Sequence, residues 1–458
     1  MGNIIKQRLG LFALLLLIIM IVYSGACKKS SSNNSSAGSS APAPTQSASW
    51  GTPALLETDN IGDIVGAPQI AMDGSGNAIA IWAQDDVVTC SHIYVNRYTI
   101  GSGWSGRSLI ESENTFSSTN VSLAMNNSGC AFAVWLQTDG SKWNVWANRS
   151  VTGTNWGTAE SIENSTELIY TAPRIAINNS GDAIAIWVQN NGTTDSIWAN
   201  IYISGTGWGT AGLVENDPQN ASFPQVVMDN SSNATAVWIQ NDGIWNSVYS
   251  NRYITGTGWA GRNLIETTGG DVYNPQIAID GFGNVMAVWI QDPSPSIYAN
   301  RYISGTGWSG AVEIDAGAYG AFAPQIAMNN SGDAVAVWMQ INANGPCRAY
   351  ANTYIFGTNW AGAQLISDNI EVVTNPEVTI NASGNAFAIW YQYDTIRTNI
   401  CSNRYVTSSG WSSPTLIESN NNSDANSHRI AIDSSGRAIA IWLQSEQSKI
   451  SLWYNRFE

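Results

Sequence analysis

The sequence predicts an all-β ring of eight four-stranded antiparallel units, closed by pairing the two ends of the folded chain. Three observations carry this expectation. A segment of the type "NAIAIWAQ" recurs eight times, marked by Trp82, Trp135, Trp187, Trp238, Trp289, Trp338, Trp390 and Trp442 at spacings of 49 to 53 residues. Each recurrence sits among three other short segments, rich in β-branched and aromatic residues and bounded by Gly, Asn, Asp or Pro, as in a meander of strands a to d. The two ends are also complementary. The last repeat stops at "SLWYNRFE", the end of a strand c, while "WGTPALLE" (Trp50 to Glu57) is a strand d with nothing before it. Four strands repeated every fifty or so residues is the signature of a β-propeller blade. Pairing residues 50–57 with the last blade (428–458) removes two unpaired edges at once. A linear capped array is the alternative, and it leaves the complementary ends as coincidence.

Strand a reads P-Q-I-A-M-D, from Pro68 to Asp73, and ends in the Gly turn "DGSGN". There Asx binds its own backbone and Gly supplies positive φ. In strand b, Ala78, Ala80 and Trp82 alternate with Ile79, Ile81 and Ala83. Both faces are apolar, as expected of a strand sandwiched between neighbouring blades. Strand c reads I-Y-A-N-R-Y, and strand d follows the second Gly turn in "SGTGW". Gln84 to Gln444 end strand b in every repeat, and Asn96 to Asn455 recur in every strand c. Residues invariant among repeats are expected to be buried and bonded to backbone at the blade edges. Arg97 and its counterparts are spread too evenly to form a substrate clamp.

Residues 1–26 read as a signal peptide: Lys6 and Arg8 precede an apolar run from Leu9 to Tyr23, then Ser24, Gly25 and Ala26. "SGAC" resembles the lipobox of bacterial lipoproteins, which implies a lipid on Cys27 and membrane contact through that lipid only. It departs from the family pattern at Ser24, where an aliphatic residue is usual, and plain cleavage after Ala26 is the alternative. Lys28 follows the Cys, which by the same resemblance favours an outer-membrane or cell-surface location. Residues 27–48 are a Ser/Asn/Ala/Pro tether that cannot bury enough apolar surface to fold. As a coil it reaches roughly 25 Å. The propeller then occupies 49–458.

The net charge of −15, with no basic run, argues against nucleic acid. The remaining cysteines are Cys90, Cys130, Cys347 and Cys401, none in a metal-site spacing. Cys347 and Cys401 fall in neighbouring repeats and form the candidate disulfide. No metal is expected, because the turn Asp alternates with Asn among repeats and lacks companion carboxylates. No cofactor is expected either. "AMDGSGNAIAIW" resembles the docking motif of the eight-bladed quinoprotein dehydrogenases, but lacks its Thr and shifts its Gly and Trp. His92 and His428 are the only histidines, in different contexts, and no G-x-S-x-G or H-E-x-x-H occurs.

Function is expected on the rim that carries the b–c and d–a connections, since these vary while the other turns repeat. Trp143 and Trp245 lie in b–c segments and are not part of the repeat plan. Phe116, Tyr170, Phe223, Tyr273, Tyr319 and Phe322 lie within a few residues of strand a and should ring the channel mouth. Aromatic faces there suit stacking on sugars or anchoring a protein. The "GNAxAVWxQ…ANRY…GTGW" plan resembles a group of functionally uncharacterised exported bacterial repeat proteins, over essentially all of 49–458. That resemblance implies the architecture and little about the job. The expectation is a monomeric, non-catalytic, surface-tethered module that binds glycan or another envelope component. One alternative is a protein scaffold resembling the eight-bladed lipoprotein of outer-membrane assembly, and the other is a polysaccharide-acting hydrolase.

Overall fold

A computed structural model describes residues 48–458 except 58–61, 87–89, 113–114, 152–154, 165–166, 170, 216, 268, 316, 318, 343–344, 369–370, 419–422 and 447–448. The expectations for the signal peptide, Cys27, nearly all of the tether and Tyr170 fall outside these residues. Among them every regular element is a β-strand. The strands form eight antiparallel sheets, and the strands a of successive blades touch one another around the ring. The fold is an eight-bladed β-propeller.

Blade 1 shows the plan: strand a is Ile64–Met72, b is Ala78–Asp85, c is Ser91–Thr99 and d is Gly103–Leu109. Blade 8 consists of Ala425–Ile432, Ala438–Glu446 and Lys449–Phe457, and takes its strand d from Ala54–Leu55. Ala54 pairs with Tyr454 and Leu55 with Trp453, and Trp50 bridges to Phe457. The ring closes as the chain ends predicted.

The core is divided into eight apolar layers, one between each pair of neighbouring blades. The alternation in strand b explains why they fit. The Ile79/Ile81 face of blade 1 meets the Ala131/Ala133/Trp135 face of blade 2, so large residues fill the space left by small ones. All eight strand b tryptophans are completely buried. Each indole N–H donates to the Gln two residues on, at 3.0 Å for Trp82 and Gln84 and 2.9 Å for Trp187 and Gln189. The Gln amide in turn donates to the d–a connection, as from Gln240 to the Gln219 carbonyl at 2.9 Å. The recurring Gln therefore holds the loop that leads into the channel.

Strand d is continuous in blade 1 but broken in blades 3, 4, 5 and 7, where two short pieces pair with strand c. The strand c Asn fills the break. Asn300 Oδ1 accepts the Gly310 N–H at 3.1 Å, while its Nδ2 donates to the Ile265 carbonyl of the preceding blade at 2.7 Å. The turn Asx behaves as expected too: Asp280 Oδ1 accepts the N–H groups of Phe282 and Asn284.

One expectation is corrected. Cys347 and Cys401 are both buried and both free. Tyr350 and Cys401 occupy equivalent places, opposite Trp338 and Trp390. Cys347 thus lies three residues short of Cys401's level, about 10 Å along the strand, in a sheet stacked about 10 Å away. A disulfide needs Cα atoms within about 7 Å.

Replacing Asn300 by Ala orphans a part-buried N–H and a buried carbonyl in two blades. A loss of about 2 kcal/mol is expected, measured as a drop in urea midpoint without a change in m-value. An unchanged midpoint would show that water replaces the clip.

Candidate functional site

The channel wall is made by the eight strands a, and among the described residues seven of them, all but that of blade 3, enter the ring through an irregularity. A β-bulge interrupts pairing with strand b, for example between Ser222 and Gln225 and between Thr374 and Glu377. One residue in the bulge adopts positive φ: Phe223 (52°), Asn274 (50°), Ala323 (51°), Asn375 (48°) and Ser427 (53°) in blades 4 to 8. The bulge re-aims the chain just inside the mouth. Its position in the d–a half of the strand puts the exposed bulge residues on the variable rim.

The structure separates the predicted aromatic residues into two groups. Trp143 is half-buried in the layer between blades 2 and 3. Phe116 is half-buried and fills the space beside Gly140, where a Cβ would come within 2.8 Å of its ring. Tyr273 and Phe322 pack into the layer between blades 5 and 6, and the Tyr273 hydroxyl reaches Asp292 Oδ2 at 3.4 Å. Phe223, Trp245 and Tyr319 remain exposed, at 59%, 44% and 46%. Trp245 lies beside Gly269, whose missing Cβ would sit 3.7 Å from the indole nitrogen. The three exposed rings belong to one arc of the rim, in blade 4 and at the entry to blade 6.

Two residues beyond the bulge residue, strand a carries Gln69, Gln225, Gln276 and Gln325 in blades 1, 4, 5 and 6. The other four blades depart from this, with Ser122, Arg174, Glu377 and Arg429. Blades 7 and 8 depart twice more. His428 stands where six blades have Pro, and Tyr391 stands where the others have an aliphatic residue or Met after the core Trp. The structure brings the departures of blades 7 and 8 together.

Arg429 Nη1 lies 3.5 Å from Glu377 Oε2 and donates to the His428 carbonyl at 2.8 Å. The His428 N–H donates to the Tyr391 hydroxyl at 3.2 Å. The two rings meet edge to face, with centroids 4.3 Å apart. Neither Glu377 Oε2 nor the buried Nδ1 of His428 has a hydrogen-bond partner among the described residues.

Burial pushes the Glu377 carboxyl up to about 6, against the opposing pull of Arg429 and the Ile430 N–H. Burial, then the Arg429 charge, pushes His428 down to about 3, against the Asn375 backbone. The imidazole is therefore neutral near pH 7. Burial also raises the Tyr391 phenol, against the His428 N–H and Arg429. Arg174, on the blade 3 strand Arg174–Ile177, is half-buried. Desolvation and then the Arg429 charge lower its proton affinity.

Sequence reasoning looked at loops and missed this cluster. The signal was the repeat itself: aligned blade on blade, strand a shows where the Pro-Gln pair is broken. His92, the other histidine, sits on strand c, two strands out from the channel wall. There it is braced by Glu111 at 3.1 Å and Asp86 at 3.4 Å. A 510 Å³ depression opens at the opposite rim, lined in part by Arg437, Arg456 and Glu458. Its charges answer one another, Arg437 with Asp433 at 2.5 Å and Arg456 with Glu458 at 3.0 Å.

No family model matches the chain, and no curated protein does. Among solved structures it is similar to an ulvan lyase of a polysaccharide lyase family, at 9% identity and TM-score 0.49 over 72% of this chain and 90% of that one. It is also similar to the intramolecular trans-sialidase of Ruminococcus gnavus, at 11% and 0.39 over 72% and 90%. A protein of unknown function from Dyadobacter fermentans matches at 12% and 0.41 over 67% and 98%. Identities this low say nothing of chemistry.

The Glu377 shift makes a stability prediction. Unfolded, the carboxyl titrates near 4.5, and folded it titrates near 6. The folded state holds the proton more tightly, so stability is lost as pH rises from about 4.5 through 6 and is level above. The side chain is 23% exposed, so the loss is about 1–2 kcal/mol. Denaturant titrations at pH 4.5 and 7 should show that loss for the wild type beyond any seen for Glu377→Gln. Equal pH dependence in both would place the titration elsewhere.

Proposed function

We propose that the protein is an exported, surface-tethered binding module that takes a saccharide at the channel mouth, on the rim of b–c and d–a connections. The observation that carries this reading is the exposed arc of Phe223, Trp245 and Tyr319. A ring held out of the apolar layers contributes little to folding, and its flat face suits the C–H surface of a sugar. Trp245 has its backbone fixed, with its N–H bound to Asp242 Oδ1 at 2.7 Å. Stacking then orders few additional groups, which limits the entropic cost of binding. Aromatic contacts of this kind give weak binding per site, strengthened when a polymer engages many tethered copies. A lipid on Cys27 would supply that dense surface display, with the 27–48 tether as spacer.

The test is binding to an array of glycans and cell-wall polysaccharides, wild type beside Trp245→Ala and Trp143→Ala. Trp245→Ala should lose at least tenfold in affinity at an unchanged melting temperature. Trp143→Ala should instead melt earlier, because its ring is part of an interblade layer. Failure of a well-folded wild type to bind any saccharide would sink the reading and favour a protein partner. Membrane anchoring is tested separately: detergent-phase partitioning of the exported protein should vanish in Cys27→Ala, and persistence would mean plain cleavage.

A further inference from the structure

We infer that the rim of a–b and c–d turns is a membrane-contact surface, laid against the lipid bilayer so that the opposite, acidic rim faces outward. Delivery to the bilayer rests on the Cys27 lipid proposed above. The contact rests on separate residues, and adds to the one expected through the lipid alone.

The place where the chain enters the propeller decides which rim lies near the membrane. Strand d of a blade begins at its c–d turn, and residues 50–57 supply that strand to blade 8. Ser49 accordingly sits beside Glu458, just past the end of strand c. The Ser49 N–H donates to the Glu458 carbonyl at 3.0 Å, and the Glu458 N–H donates back at 3.3 Å. The 27–48 tether therefore leaves from the a–b/c–d rim. As a coil it spans roughly 25 Å, and a strand of 8 residues such as Ala78–Asp85 is itself about 26 Å long. Turning the other rim to the membrane would use most of the tether in passing one blade.

Charge is divided between the two rims. Every d–a connection carries an acid and none carries Lys or Arg; Asp63, Glu167, Asp217, Asp271, Asp368 and Asp424 are examples. The a–b turns of blades 1, 4, 5 and 8 open with Asp73, Asp229, Asp280 and Asp433, all buried. Beyond these, the a–b and c–d turns carry as charges only Asp182, Asp333, Arg437 and Glu458. Asp182 and Asp333 are engaged within the rim, accepting the N–H groups of Ser204 at 2.8 Å and Phe356 at 3.0 Å. A protein of net charge −15 thus has one acidic rim and one nearly neutral rim. Anionic head groups repel the first within roughly 10 Å and let the second approach.

The neutral rim is also apolar where it protrudes. Three places past the strand c Asn stand Val151, Ile203, Ile254, Ile303, Ile355 and Val406, in blades 2 to 7. Val151, Ile203 and Ile355 are exposed, as is Phe356 beside the last of them. Phe282, at the tip of the blade 5 a–b turn, is 69% exposed. The other blades all have Ser at the place of Phe282, and Ser204, Thr255, Ser304 and Thr407 stand at the place of Phe356. The blade plan thus requires neither ring. Apolar side chains spread around a neutral rim suit the boundary between head groups and acyl chains, where each is buried without moving the backbone.

The test is hydrogen exchange of the mature protein purified from the envelope, bound to vesicles of phosphatidylcholine and phosphatidylglycerol. The reference is Cys27→Ala protein free in buffer, and mass spectrometry of the N-terminal peptide reads the lipid independently. On vesicles the amides of turns 255–257 and 304–306 should exchange at least threefold more slowly, while those of 242–245 on the other rim are unchanged. Phe282→Ser combined with Phe356→Ser should remove at least half of that protection. Phe282→Ser alone, which leaves Phe356 against Arg301 at 5.0 Å, should reduce it at an unchanged melting temperature.

Slowed exchange at these turns in protein that carries no lipid supports the contact and overturns the lipid reading. Protection of the b–c turns instead, or of neither rim, overturns the contact, and a lipid found on the same sample leaves the anchor standing. Protection indifferent to both Phe variants also overturns it, because tethering alone then accounts for the slowing.

Discussion

The strand c asparagine is the interaction on which the ring depends. Hydrophobic layers push blades together but do not fix where one sheet stops against the next, because apolar contact has no direction. The Asn side chain has direction. In blade 3, Asn200 donates to the Ile162 carbonyl of blade 2 at 2.8 Å and to Gly209 of its own strand d at 3.1 Å. Asn455 does the same at the closure, reaching Ile417 of blade 7 at 2.8 Å and Gly51 at 3.1 Å. The amide thus sets the distance between blades and replaces the ladder where strand d breaks. A ring of eight must accumulate the same rotation eight times, and one rigid spacer used each time achieves that.

The Gln at the end of strand b performs the second geometric task. It is fixed by the buried indole on one side and grips the entering loop on the other. Strand a is thereby delivered to the channel wall at a constant depth, and its bulge falls at the same level in most blades. The consequence is functional, because any residue changed near a bulge is presented just inside the channel mouth. Scaffold and channel mouth are coupled by two hydrogen bonds of one buried side chain.

Repetition decided what could be read from the sequence. The blade count, the strand order and the closing strand were legible because eight copies average out local noise and the ends complement each other. The Asn and Gln roles were legible for the same reason: only burial against backbone makes the same polar residue useful in eight different contexts. The cysteine pair was misread because neighbouring repeats were equated with neighbouring side chains. Cys347 and Cys401 differ by three places in strand c, and only register shows it. The rim aromatics divided for a related reason. Trp143 and Trp245 look alike in sequence, yet Trp143 pairs with Thr138 as the first residue of a strand while Trp245 remains outside one.

The channel cluster was hidden by the regularity that made the fold plain. A consensus draws attention to what is shared, whereas a site in a pseudo-symmetric ring must be built from what is not. A ligand smaller than the ring cannot exploit eight equivalent positions, so selection for binding acts on a few blades and leaves the others at the structural default. Arg174, Glu377, Tyr391, His428 and Arg429 fit that expectation, four on strands a and Tyr391 on the strand b of blade 7. Their cost supports the same view. An uncompensated guanidinium and a carboxyl raised to about 6 both work against folding, and neither is needed where Gln serves in four other blades. A residue that weakens the scaffold and is not required by it marks where the ring departs from its structural default.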